Sequence, residues 1–136
     1  MKLPQGNGLI LAVLRSRAHR LASGMVIELR YTGRRSGREY ALPVQYAGTG
    51  ERLVVRPQAV GRSTWWRNFH VPTAVTVRLA GRIRRGTARL VANGEPAWEQ
   101  ARDLYGSRWT RSAERTTGPL VVISLEPDST PPERGA

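Results

Sequence analysis

The sequence predicts an α+β fold: a small barrel of about six mainly antiparallel strands, with helices confined to the ends and to one crossover. Three observations predict it. From Met25 onward apolar residues recur with a period of two, the runs are punctuated by glycine-bearing turns, and only three stretches carry helical spacing instead. An OB-like barrel fits the same strand count. At 136 residues the chain supports one core and therefore one main site. Residues 1–126 are expected to form a single domain, and 127–136, "PDSTPPERGA", a disordered tail by composition.

The stretch "GNGLILAVLRSRAHRLASG" carries Leu9, Ile10, Val13, Leu14 and Leu21 at near-helical intervals, with Asn7 as N-cap and Gly24 as stop. It predicts an amphipathic helix over about 7–22. Its polar face bears Arg15, Arg17, His19 and Arg20, so the helix either covers the sheet or makes weak contact with an anionic membrane surface. Next, Ile27, Leu29 and Tyr31 alternate with Glu28, Arg30 and Thr32, which marks a half-buried strand. "REYALPVQYAG" is the second strand, and the glycines of the intervening "TGRRSGR" permit a tight turn with positive φ. "ERLVVRP" is the third.

"GRSTWWRNFHVP" is expected to form one or two helical turns, begun by Ser63 or Thr64 and ended by Pro72. "TAVTVRLAG" and "RIRRGTARLVA", divided by Gly81, are the fourth and fifth strands. "EPAWEQARDLYGSRW" reads as one helix with Pro96 at its first position and Trp98, Ala101, Leu104 and Tyr105 on one face. The continuous apolar run "GPLVVISLEP" is the last strand, placed centrally because both its faces must be covered.

Composition narrows the chemistry. Without cysteine there is no thiolate, and His19 and His70 alone supply imidazole, so no metal site is expected. The longest apolar run near the start is six residues, too short for a bilayer span, and a cytoplasmic protein is expected. The formal charge is +12, and Lys2 is the only lysine among 22 basic residues. A coding bias accounts for the preference for arginine; part of the excess charge points to an anionic partner, which the guanidinium fork grips well.

Two stretches stand out. In "TGRRSGR", Arg34, Arg35 and Arg38 surround Ser36 between Gly33 and Gly37, the makings of a phosphate-binding nest of backbone N–H groups, although neither a Walker loop nor a dinucleotide fingerprint. A solvated basic hairpin has the same sequence features. In "TWWRNF", adjacent Trp65 and Trp66 point to different sides of a short helix, so one enters the core while the other lines a cleft, unless both fill the core; Asn68 binds a ligand or braces a loop. The ten carboxylates form no acid/base pair, and no serine stands in a nucleophile elbow, so an enzyme of this sequence takes its reactive group from a cofactor.

"LRYTGRRSGREYALPVQY", "LVVRPQAVGRSTWWRNF" and "VPTAVTVRLAGR", taken in order from about Leu14 to Val91, resemble the deazaflavin-dependent nitroreductase and quinone reductase family. That resemblance implies a split β-barrel and coenzyme F420, whose phosphodiester and oligoglutamate tail would supply the missing negative charge. By motif, Arg34, Arg35 and Ser36 would hold the phosphate and the start of the tail. Tyr40, Pro43 and Val44 would lie along the cofactor, Arg56 near its ring, and Trp65, Trp66 and Asn68 would close the cleft. The implied reaction is hydride transfer to a planar electron-poor acceptor such as a quinone, nitroaromatic or enone, with Tyr105 and Arg56 as candidate proton donors.

The sequence departs from the family in two places. "RPQAVG" replaces a Ser-Lys-Gly-Gly run after the third strand, and "DLYGSRW" alone represents a tyrosine-rich C-terminal segment. The alternatives are an FMN oxidoreductase on the same barrel, a non-catalytic deazaflavin carrier and, least favoured, a nucleic-acid-binding barrel. Arginines spread along the whole chain, with no aromatics alternating on one strand face, argue against a specific nucleic-acid partner. Barrels of this kind occur as monomers and homodimers.

Overall fold

Seven strands form one antiparallel sheet: β1 (Val26–Thr32), β2 (Glu39–Gln45), β3 (Ala47–Thr49), β4 (Arg52–Val55), β5 (Thr73–Leu79), β6 (Arg82–Val91) and β7 (Leu120–Leu125), in the order β2-β1-β5-β6-β7-β4-β3. The computed structural model describes Leu11, Ala12, Arg15 and residues 25–57 and 64–127. The two edge strands, β2 and β3, are separated in sequence by Tyr46 alone. Laid flat, six inter-strand gaps would hold those edges about 29 Å apart. Two Cα steps cover less than about 8 Å. The sheet therefore curls until its edges meet at Tyr46, which makes it a split barrel.

Alternation along the strands sorts the side chains. Ile27, Leu29 and Tyr31 of β1, Leu42 and Val44 of β2, and Leu53 and Val55 of β4 point inward. They meet Val75, Val77, Ala88, Leu90, Val121 and Ile123 in one cluster closed by Trp66 and Phe69. The opposite face is covered in two places. Val54, Val91 and Leu120 pack under α1 (Pro96–Gly106) and α2 (Thr110–Glu114), against Trp98, Ala101, Tyr105 and Ala113. At the other end Leu11 packs on Ala41 and Val26.

That second cover explains Glu28. The alternation puts it on the polar face of β1, yet it is 1% exposed. Its carboxylate accepts hydrogen bonds from Arg15 Nε (2.9 Å), Arg15 Nη2 (2.8 Å) and Arg30 Nε (2.8 Å), with Arg78 Nε 3.5 Å away. Burial alone would raise its pKa, but the hydrogen bonds from Arg15 and Arg30 outweigh that and hold it below the ordinary carboxylate range.

The barrel and the central β7, between β6 and β4, agree with the sequence expectations. Three details differ. The second strand divides at Tyr46, whose carbonyl is taken by the Trp109 indole N–H at 2.8 Å, giving seven strands for six. The last expected helix ends at Gly106, where the Ser107 hydroxyl bonds back to the Leu104 carbonyl at 2.6 Å, and a short helix that was not expected, α2, follows it. The Trp-containing stretch is a 3-10 helix, Trp65–Phe69, preceded by Thr64, whose hydroxyl makes no capping bond. Leu11, Ala12 and Arg15 are helical, but the rest of the helix expected at 7–22, and the membrane contact assigned to it, fall outside the described residues, as do 128–136. Among the described residues no helix is long and apolar enough to cross a membrane.

Candidate functional site

The turn between β1 and β2 is braced from within. Gly33 N–H donates to the Arg38 carbonyl (2.8 Å), Gly37 N–H to the Gly33 carbonyl (3.0 Å), and Arg38 N–H to Ser36 Oγ (3.2 Å). The two glycines serve different ends. Gly37 adopts φ +68°, whereas at Gly33 a Cβ would lie 2.8 Å from both Ser36 Oγ and the Tyr40 ring. Ser36 Oγ also lies 3.2 Å from Tyr40 Oη.

A fourth amide of the turn leaves it. Arg34 N–H donates to Asn68 Oδ1 at 2.9 Å, and Asn68 Nδ2 donates to the Trp65 carbonyl at 2.8 Å. One amide side chain thus ties the arginine turn to the Trp65–Phe69 helix, 34 residues away. Four of the turn's six N–H groups are committed in this way, which leaves those of Arg35 and Ser36 for the expected nest. Its side chains add to that capacity for an anion: among the described residues none of the Arg34, Arg35 and Arg38 guanidiniums has an ion pair, and all three are exposed.

Beside those cations runs a chain of rings. Tyr40 stacks on Tyr31 (centroids 5.5 Å, 21° between planes), Tyr31 meets Phe69 edge-on at 5.3 Å, and Phe69 meets Trp65 at 6.1 Å. Burial, with Tyr40 adding to it, pushes the Tyr31 phenol up to about 12, so it stays protonated. Of the paired tryptophans, Trp66 is buried in the core with the Arg67 guanidinium 5.5 Å from its ring centroid, and Trp65 is half-buried and packs against that core.

Of the residues singled out in the sequence, Arg34, Ser36, Tyr40, Trp65 and Asn68 are linked by these contacts, and Arg35 lies in the same turn. Alternation separates the others on β2: Val44 points into the barrel core, whereas Pro43 lies opposite Glu28 on the outer face. Arg56 stands apart, donating through Nη1 to Ser112 Oγ at 2.6 Å. Nearby, the Tyr105 hydroxyl is buried and, among the described residues, without a hydrogen-bond partner; burial raises its pKa, while Ser112 and Arg56 pull the other way. Tyr31 and Phe69 were not singled out. Tyr31 had a signal in the hairpin itself, since Tyr31 and Tyr40 face each other in its register.

Residues 14–127 match the family model for the F420H(2)-dependent quinone reductase. The chain belongs to that family. It is an oxidoreductase, and its cofactor is coenzyme F420, a deazaflavin. Solved structures of similar fold include an F420-H2 dependent reductase, FDR-A (17% identity, 73% of this chain and 93% of that one, TM-score 0.59). Another is described as a domain-swapped dimer (15%, 85% and 99%, TM-score 0.60). The heme storage protein HutZ from Vibrio cholerae is also similar (14%, 88% and 89%, TM-score 0.54). At these identities the likeness is one of fold. No curated protein matches the sequence significantly.

Proposed function

We propose that this F420-dependent reductase seats the cofactor's phosphate and acidic tail against the Gly33–Arg38 turn and passes its hydride to a quinone-class acceptor. The observation that carries the proposal is the tether from Arg34 N–H to Asn68 Oδ1, which holds next to an aromatic wall a turn whose three guanidiniums are unpaired among the described residues. The residues present suit the group. A polyanion needs cations that are not already neutralised, and a flat ring system needs apolar rings beside them.

In this reading Arg34 and Arg35 bind the anionic end through their guanidinium forks, with Arg38 adding charge and the Ser36 hydroxyl a further donor. Tyr40 and Trp65 exclude water and present ring faces, the buried Tyr31 backs Tyr40, and Asn68 orients the turn. When bound, the deazaflavin supplies a hydride equivalent. Of the two candidate donors for the charge that develops on the acceptor, neither is linked to the turn: Arg56 donates to Ser112, and the Tyr105 hydroxyl is buried within the fold. Pro43 and Val44 contribute through the backbone of β2, since the Val44 side chain is committed to the core. Nitroaromatic and enone acceptors belong to the same electron-poor class.

Titration of the purified protein with oxidised F420 tests the proposal. Micromolar binding that weakens about tenfold or more in Arg35→Ala, and weakens further as salt is raised, is expected. Wild-type affinity in Arg35→Ala would remove the turn from the site. Turnover of a quinone panel with reduced F420 then tests the acceptor class separately.

A further inference from the structure

A concavity lies on the outer face of the barrel and shares no residue with the arginine turn. It lies where α1, packed mainly over β3, β4 and β7, leaves Thr87 and Arg89 of β6 exposed. The groove left along the helix has a volume of about 270 Å³.

Its floor follows from register. Arg52 of β4, Ser124 of β7 and Thr87 of β6 are successive cross-strand neighbours, so a guanidinium and two hydroxyls stand in one row about 4.8 Å apart. The adjoining row holds Val122 and Arg89, continued by Pro72 just before β5. The wall is a single helical face, Ala97, Gln100, Ala101 and Leu104, at intervals of three, one and three residues. Arg52, Thr87, Gln100 and Ser124 are exposed, and among the described residues their side chains make no hydrogen bond or ion pair. Arg89 is already matched to Glu95, at 3.0 Å.

We propose that this groove binds a small amphipathic carboxylate. Charge fixes the valence of the head. With Arg89 neutralised by Glu95, Arg52 is left as one uncompensated cation, which balances a monoanion and leaves a dianion in excess. The fork of Arg52 accepts a carboxylate in bidentate fashion, and the hydroxyls of Ser124 and Thr87 donate to its remaining lone pairs. The apolar strip of Ala97, Ala101, Leu104, Val122 and Pro72 takes the body of the molecule. The volume sits just below the range for drug-sized ligands, which restricts the occupant to a short chain or a single ring system.

The probe is sodium decanoate, titrated below its micellar concentration into the full-length ¹⁵N-labelled protein, with decanol as the neutral control. Saturable amide shifts confined to residues around Thr87, Arg89, Gln100, Leu104 and Ser124 are expected, with decanol binding about tenfold more weakly or less. Arg52→Glu removes the cation, and Gln100→Trp fills the groove while leaving the charge in place. Both sit at exposed positions, and each should abolish the response while the rest of the spectrum stays folded. Equal binding of decanol, shifts spread over the barrel, or an undiminished response in both variants would overturn the assignment. Because Arg35→Ala touches only the other site, its response to decanoate should match wild type.

Discussion

Replacing Asn68 by alanine tests the tether that organises the candidate site. The side chain makes two hydrogen bonds, one accepted from Arg34 N–H at 2.9 Å and one donated to the Trp65 carbonyl at 2.8 Å, and it is half-buried. At a net 0.5–1.5 kcal/mol each, their loss should cost about 2 kcal/mol, or roughly 6–10 °C in Tm for a chain of this size. About half of that loss bears on the turn, so the equilibrium holding it in place weakens roughly fivefold, and F420 affinity falls by at most about fivefold. Thermal denaturation by circular dichroism and cofactor titration measure the two effects independently. Asn68→Asp sharpens the test. It keeps an acceptor for Arg34 N–H but sets a carboxylate beside three guanidiniums, so it should bind F420 worse than the alanine variant at low salt and converge with it at high salt. Loss of stability with unchanged cofactor affinity in both variants would show that the turn is a structural brace and not part of the site.

Three further substitutions probe the fold around the site. Glu28→Gln should destabilise by about 3 kcal/mol at neutral pH, the low end for breaking a buried ion pair, because Arg15 and Arg30 are exposed enough to turn to water. Since the folded carboxylate titrates below its ordinary value of 4.5, its contribution is complete above that value and disappears as pH falls through the lower folded value. Urea denaturation at pH 7 and at pH 3 should therefore show the wild-type advantage shrinking in acid; an equal advantage at both would refute the network. Gly33→Ala drives a methyl to within 2.8 Å of Ser36 Oγ and the Tyr40 ring, and should cost about 1–3 kcal/mol with a loss of F420 affinity. Ala80→Gly, by contrast, relieves a non-glycine residue at φ +51° in the two-residue turn between β5 and β6, and should raise stability by about 0.5 kcal/mol; a fall in Tm would refute the strain.

Much of this architecture was legible because it is local. The two-residue alternation in Ile27, Leu29 and Tyr31, the Ala80–Gly81 break and Pro96 at a helix start are each decided by neighbours a few residues away. The features that escaped depend on distant partners. Nothing in "VQYAG" announces a strand break; the chain divides there because Trp109, 63 residues on, claims the Tyr46 carbonyl. Glu28 reads as a solvated strand residue until Arg15 and Leu11 close over that face. At the site, motif and composition pointed to the arginine turn and the Trp-Asn helix but could not show that Asn68 joins them. The same gap hid that four of the turn's six amides are already used, which leaves more of the anion-binding role to the side chains.

The seam at Tyr46 also bears on the order in which the chain assembles. Because the sheet's two outermost strands are sequence neighbours, bringing them together demands almost no search, and the β1–β2 and β5–β6 hairpins are equally short-range. The entropic toll falls on pairings between remote segments: Glu28 with Arg78, and Arg52 with Ser124. A chain built this way collects its local pieces early and waits on those two zippers, so the kinetic bottleneck lies between β1 and β5 and between β4 and β7, far from the residue that closes the ring.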